Sequence, residues 1–311
     1  MTRKVYIVQF AHPGAEHSIG SQEKKTGIKE WNYGGHKRKF LKAFGQCVTK
    51  DGSLTSPKEL LFWGEWEPTS NFSKVCSTTG TGVQPDFIHE PFLSKGVGGL
   101  ILPPYIIKKR KTHTRQNTDP FVFGDYFIYS NCKQRKNINK SVITIFTKIG
   151  TLEKGSIILF GSTISKKQGG PYFVLDTVFV VGDYKCYNTK TSHTDLSGYV
   201  PSDYVDIMGF TKWMPTDYVC YKGASVSNPF DGMFSFVPCK PFDSTNVGFP
   251  RVKLTSKDIK FISDNLNAAP KYEDLSNTKN IWNKICEIVR SQGFELGVNF
   301  KYQYKSATEM P

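Results

Sequence analysis

No stretch of the 311-residue chain approaches the ~20 consecutive apolar residues that a membrane helix requires, so a helical spanning protein is excluded. The first ten residues, Met-Thr-Arg-Lys-Val-Tyr-Ile-Val-Gln-Phe, lack a long apolar core with a small-residue cleavage site. The expectation is therefore a cytoplasmic protein without a signal peptide and without a membrane partner. Cysteine is sparse and scattered: seven residues, an odd number, with no C-x-x-C pair, which argues against a disulfide framework and against a zinc site. The six histidines form no H-x-x-x-H pair. A G-x-S-x-G elbow, a Walker loop and a strand-following G-x-G-x-x-G are also missing, so the expected reaction, if any, uses no metal and no cofactor.

What is present is positive charge and aromatic surface. Lys and Arg number 41 against 27 Asp and Glu, a formal net charge of +14, and aromatics make up 14% of the chain. Such an excess attracts polyanions, nucleic acid foremost. It is bunched as well. Lys24, Lys25, Lys29, Lys37, Arg38, Lys39 and Lys42 face Glu30 alone, and residues 95–154 hold twelve bases and three acids. The loops near 24–42 and 95–140 are thus expected to hold a DNA backbone, through Lys37, Arg38 and Lys39 in the first and Lys109 and Arg110 in the second. His36-Lys37-Arg38-Lys39-Phe40 places an aromatic beside three cations, a combination that suits stacking and charge together.

The pattern of elements reads as α+β: one domain over 1–311, with a large antiparallel or mixed β-sheet or partial barrel and a few helices, mainly C-terminal. Strands are expected at 4–10, 60–66, 121–129, 141–147, 156–160 and 172–181 from β-branched and aromatic runs. Residues 20–45 and 67–120 read as irregular because glycine and proline punctuate them, and 161–170 as a connecting loop. Helices are expected over 256–267 and 277–292, the second with Ser276 before it and Gly293 after it.

Three acids stand out. Glu65 lies between Trp63 and Trp66, and burying a carboxylate among aromatics costs several kcal/mol unless it is paired. The two tryptophans either finish a packed strand or wall a slot for a flat base or sugar. Asp176 interrupts the most apolar strand, Phe173 to Val181, and must be paired, hydrogen-bonded or facing a pocket. Asp231 sits in Asn228-Pro229-Phe230-Asp231-Gly232, a turn signature. Isolated carboxylates, stacking aromatics and phosphate-binding cations are the ingredients for cleaving an N-glycosidic bond. One carboxylate steadies an oxocarbenium-like sugar or orients water, and the nucleotide is turned out of the duplex at a cost of ~a few kcal/mol.

Trp63-Gly64-Glu65-Trp66-Glu67, the strand with Asp176, and the run from Asn228 to Cys239 together resemble the nucleotide-modification-associated domains. More narrowly, they resemble prokaryotic anti-phage DNA glycosylases that remove glucosylated hydroxymethylcytosine. The resemblance extends from the first strand to about Arg251. It implies an antiviral enzyme whose partner is modified phage DNA and whose product is an abasic site, but not which acid acts. The assignment on this basis is Glu65 as the catalytic carboxylate, with Asp231 and Asp176 in reserve. Trp63, Trp66, Asn228 and Phe230 would bind the everted base, and the mechanism would be monofunctional, since no lysine stands out as a desolvated nucleophile. The rival is a non-catalytic reader of modified nucleic acid, with a barrel like that of the pseudouridine-synthase-associated domains.

Overall fold

In the computed structural model, the described residues are 2–12, 16–29, 37–75, 84–96, 118–137, 144–164, 172–209, 216–245, 247–259, 262, 271–272 and 274–306. Lys109 and Arg110 lie outside them, as does most of the helix expected over 256–267, of which 256–259 form a turn.

The strands in the first half are β1 (Tyr6–Ala11), β2 (Ile28–Lys29), β3 (Lys39–Val48), β4 (Lys58–Gly64), β5 (Ser70–Lys74), β6 (Phe87–Lys95), β7 (Ile128–Tyr129), β8 (Arg135–Asn137) and β9 (Thr144–Phe146). Then follow β10 (Ile157–Ile164), β11 (Tyr172–Asn188), β12 (Asp217–Gly223), β13 (Val237–Pro241), β14 (Val252–Leu254), β15 (Lys271–Tyr272), β16 (Glu295–Lys301) and β17 (Gln303–Ser306). The helices are α1 (Ser21–Thr26), α2 (Ser192–Asp195), α3 (Ser202–Met208) and α4 (Leu275–Ser291). The fold is α+β and dominated by strands, as the sequence pattern implies. Among the described residues only α4 is C-terminal; α1, α2 and α3 are too short to show a helical period in the sequence. No helix among the described residues is long and apolar enough to cross a membrane.

Apart from β8 and β9, which pair only with each other, the strands form two large sheets. One runs β15-β1-β10-β11-β12-β7, with β14 added on β11; the other runs β16-β13-β4-β3-β6-β5-β2, with β17 added on β6. In the second sheet β16 also pairs with β3, and the pairings β3–β4, β4–β13, β13–β16 and β16–β3 are all antiparallel, so these four strands close a small barrel. A closed ring leaves no unpaired edge.

Several segments depart from the expected pattern for local reasons. Phe121 to Tyr129 is a tight hairpin rather than one strand: Phe121 and Ile128 exchange both backbone hydrogen bonds across a turn at Gly124, which has φ +70°. The span 67–120, read as loop from its prolines, contains β5 and β6; Pro91 lies within β6, and tertiary pairing overrides the local signal. The span 20–45 likewise contains α1, β2 and the start of β3. Helix α4 begins two residues early because Asp274, not Ser276, caps it, its carboxylate accepting the Asn277 N–H at 2.7 Å.

Two apolar clusters fill the interior. Phe10, Trp66, Phe123, Tyr129 and Tyr204 belong to the first, and Phe40, Trp63, Val178, Phe249 and Trp282 to the second. The feature of functional interest lies where they meet.

Candidate active site: a buried charge constellation

Strand β11 shows how an acid comes to sit in the most apolar segment. Phe160 of β10 pairs with Thr177, but the next residue, Gly161, pairs with Leu175, so Asp176 is skipped. It is the extra residue of a β-bulge, a device that bends a strand and re-aims a side chain. The phase of β11 changes across it. Before the bulge Phe173 and Leu175 face the second cluster; after it Val178 and Val180 do. Gly161 is required opposite the bulge, because a Cβ there would lie 2.0 Å from the Val174 carbonyl oxygen. The same glycine carbonyl accepts the His12 N–H at 2.7 Å, which fixes the chain just beyond β1.

Around Asp176 the two sheets exchange charge. Arg38, immediately before β3, directs Nε to Asp176 Oδ2 at 2.7 Å and Nη1 to Glu65 Oε1 at 2.5 Å. Arg251, just before β14, reaches Asp176 Oδ1 at 3.2 Å and donates from Nη1 to Ser162 Oγ at 3.0 Å. His12 donates from Nδ1 to Glu65 Oε1. His12, Ser162, Asp176 and Arg251 come from the first sheet and its flanks, Arg38 and Glu65 from the second, so these contacts tie the sheets together. The side chains of Arg38, Glu65 and Asp176 are almost wholly enclosed, with 1%, 2% and 1% of their surface exposed.

Charges this deep persist because they balance: two guanidinium groups face two carboxylates. Isolated, each would cost several kcal/mol to desolvate. Burial lowers the His12 pKa below its usual value, and Arg38 adds to the effect, against the pull of Glu65. The imidazole is therefore neutral at physiological pH. Glu65 holds the proton on Nδ1 and leaves Nε2 as the basic nitrogen. Burial also lowers the Arg251 pKa, while Asp176 opposes it. Beside the constellation, Glu16 accepts the N–H groups of Asp86 and Phe87 at 2.6 and 3.0 Å, and burial raises its pKa to about 7 despite those bonds.

Glu65 and Asp176 are thus brought together through one arginine. The other expected residues fall elsewhere. Trp63 belongs to the second apolar cluster, donates Nε1–H to the Phe249 carbonyl at 2.9 Å, and has the Arg251 guanidinium 4.6 Å from its ring centre. Trp66 belongs to the first, donates to the Thr69 carbonyl at 2.8 Å, and packs on Phe123 and Tyr302. The two indoles face opposite cores, so they do not wall one open slot as expected. The reason is strand alternation carried past Gly64, with Glu65 between them.

Asp231 lies in a two-residue turn with φ +49°, followed by Gly232 at +79°, the left-handed pair that closes a tight hairpin. It forms an exposed pair with Lys279 of α4 at 3.1 Å. Asn228 is exposed on the preceding turn and Phe230 half-buried against the second cluster.

Two of the expected backbone-binding cations also need correcting. Arg38 and Lys39 are buried, Arg38 as the hub of the constellation and Lys39 with Nζ near the Pro68 carbonyl at 3.4 Å, so neither presents a surface to phosphate; Lys37 is partly exposed. Sequence reasoning missed His12, Ser162 and Arg251. His12 reads as a strand breaker beside Pro13-Gly14, and Ser162 and Arg251 carry no motif.

Comparison of the chain with family models, with curated proteins and with solved structures returns no match, so the constellation has to be interpreted from its own chemistry.

Proposed function

We propose that the chain is a DNA glycosylase that hydrolyses the N-glycosidic bond of a modified cytosine, a glucosylated hydroxymethylcytosine in phage DNA. The observation that carries this reading is the carboxylate–imidazole pair Glu65–His12, locked between two arginines and a second carboxylate. The resemblance of the Trp63–Glu67, Asp176 and Asn228–Cys239 segments to anti-phage glycosylases supports the substrate class, and the net charge of +14 supports a polyanionic partner.

In this reading His12 is the general base. Its neutral Nε2 takes a proton from the water that attacks C1′, while the bond to the base breaks through an oxocarbenium-like state. Glu65 stabilises the imidazolium as it forms and keeps the ring oriented; Asp176, Arg38 and Arg251 hold Glu65 in place. Glu65 therefore acts through His12 rather than on the sugar directly.

The test is incubation with glucosylated phage DNA, followed by alkaline cleavage at abasic sites and mass spectrometry for free base. The wild type is expected to release base, and His12→Ala to lose at least a hundredfold, in line with the contribution of a positioned general base. Full activity in a folded His12→Ala variant would sink the mechanism.

A second reading, a non-catalytic binder of modified nucleic acid, is favoured by the pairing of the charges in the constellation, which makes it a rigid keystone. Binding without any free base in the mass spectrum selects it.

A further inference from the structure

The turn that carries Lys133 is held in an uncommon way at both backbone and side chain. Lys133 has φ +59°, in the left-handed region that residues other than glycine, asparagine and aspartate rarely enter. Strain of this kind persists only where surrounding bonds impose it, and it clusters at functional sites.

Those bonds are visible. The buried Asp119 carboxylate accepts the N–H groups of Ser130, Asn131 and Cys132 at 2.9, 3.0 and 3.1 Å. Gln134 N–H returns to the Asn131 carbonyl at 3.1 Å, and Thr147 Oγ1 donates to the Lys133 carbonyl at 2.7 Å. From this platform Lys133 Nζ reaches the Ala11 carbonyl at 2.6 Å, lying 4.5 Å from the Phe10 ring centre. Ala11 immediately precedes His12. Lys133 remains exposed, so it touches solvent and the rim of the constellation at once. Its contact is a carbonyl, and desolvation lowers its pKa; Arg38 acts in the same direction, while Cys132 and Glu65 oppose.

We propose that Lys133 is an imine-forming amine that gives this site a lyase activity toward the ring-opened sugar of an abasic site in DNA, a proposal that rests on the N-glycosidic reading above. The neutral Nζ adds to the C1′ aldehyde carbon, and the carbinolamine loses water to give a protonated imine. His12 is the base at hand to remove a C2′ proton. The electrons of that C–H bond form the C2′–C3′ double bond, and the C3′–O bond breaks, with the phosphate leaving with its electron pair. Water then hydrolyses the conjugated imine, returning the amine and releasing an unsaturated aldehyde. No oxidant or reductant is needed. The lysine missed in the sequence is thus placed by a turn rather than by a motif.

The experiment uses the full chain and a labelled DNA duplex with one preformed abasic site, in the presence of sodium borohydride, which reduces an imine to a stable amine. The expected result is a covalent protein–DNA adduct that peptide mass spectrometry maps to Lys133, with strand cleavage in the absence of borohydride. Lys133→Arg is expected to lower adduct at least tenfold, and Lys136→Arg to leave it unchanged. No adduct, or an adduct on other lysines, overturns the proposal, and the mapping on wild type decides this even if Lys133→Arg fails to fold. Because the abasic site is preformed, the assay does not depend on base release. Base release from glucosylated DNA without an adduct overturns the lyase step alone; an adduct without base release overturns the glycosylase reading and leaves the amine assigned.

Discussion

Arg38 and Lys39 are consecutive, buried and positively charged in their ordinary states, yet the protein treats them in opposite ways. Arg38 enters the seam between the sheets and meets Glu65 and Asp176. Lys39 enters a second polar cluster, near Lys29, His17 and His89, with its Nζ on the Pro68 carbonyl and the Glu67 and Glu23 carboxylates acting on it without a direct ion pair. There, burial lowers the Lys39 pKa to about 7 and that of His17 to about 3, with neighbouring lysines adding to both effects. His89 is pushed well below its usual value, and its Nδ1 meets Ser70 Oγ at 2.9 Å. Arginine cannot shed its proton in a protein and so must be paired; lysine and histidine can become neutral instead. One cluster survives by charge balance alone; the other combines an ion pair, Lys29 with Glu23, with groups that can give up their protons.

The sharpest way to break that contrast is to remove each cation. Arg38→Met leaves two carboxylates facing one arginine and is expected to lower stability by about 3–5 kcal/mol, measured by urea denaturation at pH 8. Lys39→Met at the same pH removes a group that is already largely neutral, and less than about 1 kcal/mol is expected. Equal losses would show that the two clusters do not differ as described. Asp176→Asn keeps the shape of the bulge but unbalances the charges, and a loss of about 2–3 kcal/mol is expected in the same assay.

Acid titration sharpens the comparison from the other side. His17 has a folded pKa of about 3 against 6.5 unfolded, so the unfolded state takes up the proton first. Its contribution to stability is present above pH 6.5 and lost as the pH falls toward 3. His17→Gln is therefore expected to flatten the acid limb of the stability curve relative to wild type. Asp119 works with the opposite sign. Burial raises its pKa to about 7 against the lowering effect of its three amide donors, so it favours folding increasingly as the pH falls from 7 toward 4. Subtracting the variant curve from the wild-type curve separates His17 from that background. The smallest effect is expected from Asp231→Asn, which breaks an exposed pair with Lys279: less than about 0.5 kcal/mol, and no change in base release. A large loss of activity there would return Asp231 to the site.

The α+β class and the long strand around Asp176 were legible in the sequence because runs of aromatic and β-branched residues dominate it. The isolation of Glu65 and Asp176 among apolar neighbours was legible too, and so was the demand that both be paired. Their partners were not. Arg38 stands in a basic run, which reads as a phosphate-binding loop, and nothing in the run shows that one of its members turns inward. The bulge at Asp176 was hidden because a strand that is apolar on both faces shows no alternation to interrupt. His12 and Arg251 reach the site only through pairings between strands distant in the chain, which no local pattern records.

The start of β3 carries a further consequence. Its first contacts set a guanidinium toward one sheet and an ammonium into a separate pocket, and adjacent strand residues point to opposite sides. Sliding this strand by a single position would send the lysine among the paired acids and the arginine to a place where no carboxylate is set to grip its guanidinium. Misalignment here cannot be silent, so these two neighbouring cations act as a proofreading key for how the halves of the protein fit.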